Sequence, residues 1–167
     1  MTKKIMDLLD NAFDLSENGE YVEALRCYDK VLKEDPKNIR ALIDKGVTLQ
    51  NLGKLKKSIE FYDKAIKINP NDLDGLINKG SALHSLGKYN EAIRLYDRAL
   101  KIDKRCTVAL AYKGLSLGEL NKTEDALEYF KKALEIDRDY DLANLSKKMA
   151  KEILKSRIKE LKYTKTQ

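Results

Sequence analysis

Residues 86–103 read LGKYNEAIRLYDRALKID, and residues 52–69 read LGKLKKSIEFYDKAIKIN, nearly the same phrase 34 positions earlier. Laid in that register, 39–72 and 73–106 share 14 of 34 residues. Self-similarity at a fixed period of this size signals a stacked array, because one such unit is too small to bury its own apolar side. The frame extends to 5–38 upstream and 107–140 downstream, with a remainder from 141.

Each unit reads as two helices. In the first half Leu42, Gly46 and Leu49 lie at i, i+4 and i+7, one face of a helix. Leu76, Gly80, Leu83 and Leu110, Gly114, Leu117 repeat that face, and Leu8, Ala12, Leu15 give its first version. The second halves carry Ala24, Tyr28, Val31, then Ser58, Tyr62, Ala65, then Ala92, Tyr96, Ala99 and finally Ala126, Phe130, Ala133. Gly19, Gly53, Gly87 and Asn121 share the position between the halves, where a left-handed residue ends a helix. Between units, Pro36 and Pro70 stop the second helix; Lys104 and Arg138 stand in those places later, which predicts a weaker stop there. Asn38 and Asp72 are suited to cap the helix that follows. A mid-helix glycine costs about 1 kcal/mol relative to alanine, so Gly46, Gly80 and Gly114 need a packing reason. The expectation is close helix approach, small residue on small residue at Ser58, Ala92 and Ala126, with the nearby Tyr or Phe filling the space beside them.

Composition narrows the class. No apolar run approaches the roughly 18 residues that a membrane-spanning helix needs. The opening MTKKIMDLLDNAFDLSENGEY (1–21) carries acids where a signal peptide would be apolar. Cys27 and Cys106 have no CxxC spacing and read as reduced thiols, so a cytoplasmic location is expected. The net charge of +6 is lopsided: residues 1–146 hold 25 basic and 25 acidic side chains, and the whole excess falls in 147–167.

The run Leu76, Gly80, Leu83, Gly87, Tyr89, Ala92, Tyr96 and Ala99, with Pro70 closing the unit before, resembles the tetratricopeptide repeat (TPR) over about residues 5–140. The resemblance implies an all-α fold, a right-handed superhelix (α-solenoid) of four helix hairpins in a single domain. Residues 141–162 then read as a capping helix, striped by Leu142, Leu145, Met149 and Ile153, with a basic tail to 167. The chain departs from the family at Lys45, Lys79 and Lys113, where Leu is usual, and in having Leu for the leading Trp. A lysine stem still covers apolar surface while its head reaches water.

In this family the first helices line a concave face that binds other proteins. The resemblance places there Leu9 and Phe13, Ile43 and Val47, Ile77 with Ser81, Ala111 and Leu115, then Leu145 and Met149. Those side chains either pack between neighbouring first helices or leave an apolar groove for an amphipathic helix or extended peptide. Asn78 and His84 join Arg40, Asp44, Gln50, Asn51, Asp74 and Glu119 as polar rim. Some relatives clamp C-terminal carboxylates with Lys and Asn, then Lys and Arg, on successive first helices. Asn78 fits one such position, but Ile43, Val47, Val108 and Tyr112 occupy the others and argue against a clamp.

No nucleophile is paired with a base, and no cofactor is expected. His84, the sole histidine, excludes a two-histidine metal site, and DLDG (72–75) lacks the flanking acids of a calcium loop. The expected function is a non-catalytic protein-interaction scaffold. The C-terminal helix is longer than the roughly 14 residues that cover one repeat. Its outer stripe, Leu154, Ile158 and Leu161, either contacts a second copy, a partner helix or an acidic surface, or belongs to a solvated tail. Nucleic-acid binding through the tail is disfavoured, because the array itself is neutral and only Tyr163 offers a stacking ring.

Overall fold

The computed structural model describes the backbone of residues 2–164, and the side chains of those residues apart from 153 and 156–164. Among the described residues there are nine α-helices: α1 (Lys3–Glu17), α2 (Tyr21–Glu34), α3 (Ile39–Asn51), α4 (Leu55–Ile68), α5 (Leu73–Ser85), α6 (Tyr89–Ile102), α7 (Thr107–Glu119), α8 (Thr123–Ile136) and α9 (Asp141–Thr164). They fall into two compact units, residues 1–87 with α1–α5 and residues 88–167 with α6–α9. In the first unit each helix packs on the next, and α3 also touches both α1 and α5. In the second, α6, α7, α8 and α9 pack in succession and α7 touches α9.

The turn within each pair is built as the repeat position requires. Gly19, Gly53, Gly87 and Asn121 have φ of 82°, 71°, 74° and 60°. At Gly53 the left-handed residue lets the Lys54 amide reach back to the Leu49 carbonyl at 2.8 Å, satisfying an end-of-helix acceptor. Asn121 serves the same turn in α7–α8, where Lys122 N–H donates to Leu117 O at 2.9 Å.

The stops between units differ from the expectation. Helices α6 and α8 end as sharply as α2 and α4, although Lys104 and Arg138 replace proline. The common device is the Asx residue one place earlier. Asn69, Asp103 and Asp137 leave the helix in an extended conformation and Asp35 leaves it at φ −133°, ψ 86°; all four side chains accept the amide two residues on, at 2.9–3.2 Å. Asn38 and Asp72 cap α3 and α5 through Ala41 N–H and Gly75 N–H at 3.0 and 2.8 Å.

The glycine expectation also changes. A Cβ on Gly46 would stand 2.4 Å from the Tyr62 ring, and one on Gly114 would stand 2.5 Å from the Phe130 ring. The glycines make room for the aromatic face of the second helix, not for Ser58 or Ala126. Tyr62 and Phe130 are thereby sunk into cores otherwise made of alanine and larger aliphatic side chains, and Tyr28, whose repeat has Ala12 at the glycine position, is buried as well.

A periodic ion pair ties a first helix to the second helix before it, within each of the two units. Lys45 of α3 pairs with Asp29 of α2, Lys79 of α5 with Asp63 of α4, and Lys113 of α7 with Asp97 of α6. Lys45 also lies 4.3 Å from the Phe61 ring centre, and Lys113 lies 4.2 Å from that of Tyr129 while donating to its hydroxyl. Helix α9 keeps the register of α7: Ala143 and Ala150 are buried, as are Ala109 and Ser116. The face that seats a second helix does not continue. Leu110, Gly114 and Leu117 become Asn144, Lys148 and Lys151, all exposed, so α9 closes the unit with a polar outer side.

Gly46→Ala should destabilise the chain by about 1–3 kcal/mol through overpacking, partly offset by helix propensity. Gly118→Ala, where nothing lies within 4 Å, should stabilise by up to about 1 kcal/mol. Urea unfolding of both variants checks the contrast. The ammonium of Lys113 loses hydration, but hydrogen bonds and charge from Asp97 and Tyr129 outweigh that and raise its pKa above 10.5. Its stabilising contribution is therefore complete below about pH 10.5 and is lost as pH rises through the folded value. Asp97 stays nearly half exposed, so a Lys113→Met, Asp97→Asn double-mutant cycle should give a screened coupling of roughly 1 kcal/mol at neutral pH.

Candidate functional site

In the first unit the helices α1, α3 and α5 stand side by side, and their shared face holds the sequence-predicted positions of that half. Leu9 is fully buried and Ile43 nearly so, each in a core cluster that also holds an alanine of the neighbouring first helix, Ala41 and Ala82 respectively. They form the joints between first helices and present no surface to a ligand. Phe13 is 47% exposed, and Val47 and Ile77 are half-buried.

Polar side chains join the same helices. Arg40 donates to Asp10 on α1 at 2.9 Å and lies 3.5 Å from Asp44 one turn along. Ser16 and Thr48 share a hydrogen bond of 3.0 Å. The Tyr62 hydroxyl donates to Gln50, whose amide donates to Ser81 at 3.2 Å. Asn78 turns its amide back to the Asp74 carbonyl. His84 is half-buried near the end of α5. Ser81, Gln50 and Asn78 thus spend hydrogen-bonding capacity inside the protein. Burial raises the pKa of Asp44, which Arg40 offsets only in part while Asp74 adds repulsion. Burial likewise pushes the hydroxyls of Tyr28 and Tyr62 up, with the charge of Asp44 adding to both. These phenols stay neutral and act as packing groups.

In the second unit the surface is more open. Ala111 is fully buried within the α7–α8–α9 core, another joint. Leu115 is half-buried, whereas Leu145 and Met149 on α9 are 62% and 56% exposed. Leu115 and Met149 line a cleft of about 110 Å³ together with Gly118, Ala126, Phe130 and Ala150, with Glu119, Thr123 and Ser146 at its edge. Sequence reading missed the floor of this cleft. Its signal was Gly118, which stands where earlier repeats have Ser16, Gln50 and His84 and lines the cleft with no side chain. Leu154 is half-buried, and the side chains of Ile158 and Leu161 lie outside the described residues.

Among the described residues no helix is long and apolar enough to cross a membrane. The chain matches the sequence profiles of the tetratricopeptide repeat at residues 72–139 and again at 39–72. No curated protein matches it. Among solved structures it is similar to a MamA protein, with TM-score 0.78 and 25% identity over 99% of this chain and 90% of that one. It is also similar to MamA 41-end from Desulfovibrio magneticus RS-1, with TM-score 0.75 and 21% identity over 98% of both chains. The Arabidopsis OM64 TPR domain matches with TM-score 0.66 and 23% identity, over 68% of this chain and 94% of that domain. These likenesses, the all-α helical repeat and the two profile matches agree: the chain belongs to the tetratricopeptide repeat family, generally a non-catalytic fold of protein-interaction scaffolds.

Proposed function

We propose that this scaffold binds a peptide or amphipathic helix of another protein, with its anchor in the α7–α8–α9 cleft of the second unit. The observation that carries this reading is the pair of exposed apolar side chains, Leu145 and Met149, next to a cleft floored by Phe130, Ala126 and Ala150. Large apolar groups out in water beside a concave apolar pocket suit spaced hydrophobic anchors of an incoming helix. Glu119, Thr123 and Ser146 supply polar edges that fix direction. The first unit has an apolar surface of its own at Phe13, Val47 and Ile77, bordered by Arg40, Asp44 and Asp74. Leu9, Ile43 and Ala111 hold helices together and take no part in binding.

Selection from a displayed peptide library tests this. Selected peptides should share hydrophobic residues at helical or alternating spacing, and their affinity should fall by about tenfold or more in Met149→Glu, the loss of one buried anchor. Phe13→Glu, in the first unit, should cost less. Selected peptides without a hydrophobic pattern, or with unchanged affinity for Met149→Glu, would exclude the α7–α8–α9 cleft as the anchor.

A further inference from the structure

Each inner joint sets a lysine of a first helix against an aspartate of the second helix before it, 16 residues earlier: Asp29 and Lys45, Asp63 and Lys79, Asp97 and Lys113. At the last joint, between α8 and α9, the lysine persists as Lys147, but the aspartate position holds Lys131. Arg138, from the connection between the two helices, borders the same cleft of about 340 Å³, which Lys131, Leu134, Glu135, Arg138 and Lys147 line. Three cations there meet one carboxylate.

Lys147 is half-buried, as Lys45, Lys79 and Lys113 are, yet it has no ion pair among the described residues. A lysine drawn partly out of water, with like charge opposite, is held in an unfavourable place that an added carboxylate would relieve. Exposed Lys148, Lys151 and Lys155 on α9 extend the positive field around it.

We propose that the α8–α9 cleft docks an acidic segment of a partner protein, one Asp or Glu side chain seating at Lys147 as Asp29, Asp63 and Asp97 seat at the inner lysines. Nucleic acid fits less well: the cleft holds no aromatic ring for a base to stack on, and Glu135 opposes a continuous phosphate backbone. The site is separate from the apolar cleft of the preceding proposal, so either can fail alone.

Fluorescence anisotropy on the full chain tests it with a labelled Asp-Ser repeat decapeptide, compared with a Lys-Ser repeat and a single-stranded oligonucleotide. The acidic peptide should bind, and should weaken several-fold as added salt shortens the Debye length from about 10 Å to about 3 Å. Lys131→Asp rebuilds the inner-joint pair within the chain and should lower affinity by about tenfold or more. Lys131→Gln should lower it less. Lys56→Asp, the same charge change on α4, should leave affinity within about twofold. Circular dichroism verifies folding, and if Lys131→Asp does not fold, Arg138→Gln takes its place with a loss of a few-fold. Four outcomes would overturn the proposal: no peptide binding, equal losses in Lys131→Asp and Lys56→Asp, preference for the oligonucleotide, or salt-sensitive self-association in place of peptide binding.

Discussion

An antiparallel helix pair of about 30 residues has apolar surface on both flanks and can cover neither with its own atoms. Every specific feature of this chain follows from that deficit. The aromatic rings at 28, 62 and 130 fill one flank of their own pair. Ala41, Gly75, Ala109 and Ala143 are small because the helix before them must come close, and a Cβ at Gly75 would already stand 3.2 Å from Ile66. Where the next pair exists, side chains such as Ile43 disappear beneath it. Among the described residues no further helix stands beside α9, and the equivalent Leu145 stays largely in water.

The same deficit orders the electrostatics. Lysine replaces an apolar residue at 45, 79 and 113, and in each case aspartate on the neighbouring pair satisfies it. Aromatic rings cover two of the three ammonium groups as well. A position that elsewhere is purely hydrophobic therefore becomes a matched charge contact between successive helix pairs. The contact is directional in sequence, acid first and base second, and it runs out at 131.

The repeat period made the helices, their order and the left-handed joints at 19, 53, 87 and 121 legible from the residues alone. Two local details were not. Proline is the conspicuous stop signal, yet it is present at only two of the four stops, while Asp or Asn stands at 35, 69, 103 and 137 in every repeat. The glycines were matched to small residues by offset, whereas helix geometry aims the longer Tyr62 and Phe130 rings at them. For the candidate site, a carry-over of positions could not separate Leu9, Ile43 and Ala111 from Phe13 and Met149. That distinction depends on the size of the residue opposite, Ala41 and Ala82 allowing closure, and on whether any helix stands opposite at all.

The outer side of α9 has a consequence for how such a chain can lengthen. Termination is written in three side chains, Asn144, Lys148 and Lys151, that replace a Leu-Gly-Leu seat. Duplicating an internal 34-residue segment would add a hairpin upstream of them without disturbing the stopper. The array can thus gain modules by simple tandem copying while the same polar face still closes α9, so length and closure are set by separate parts of the sequence.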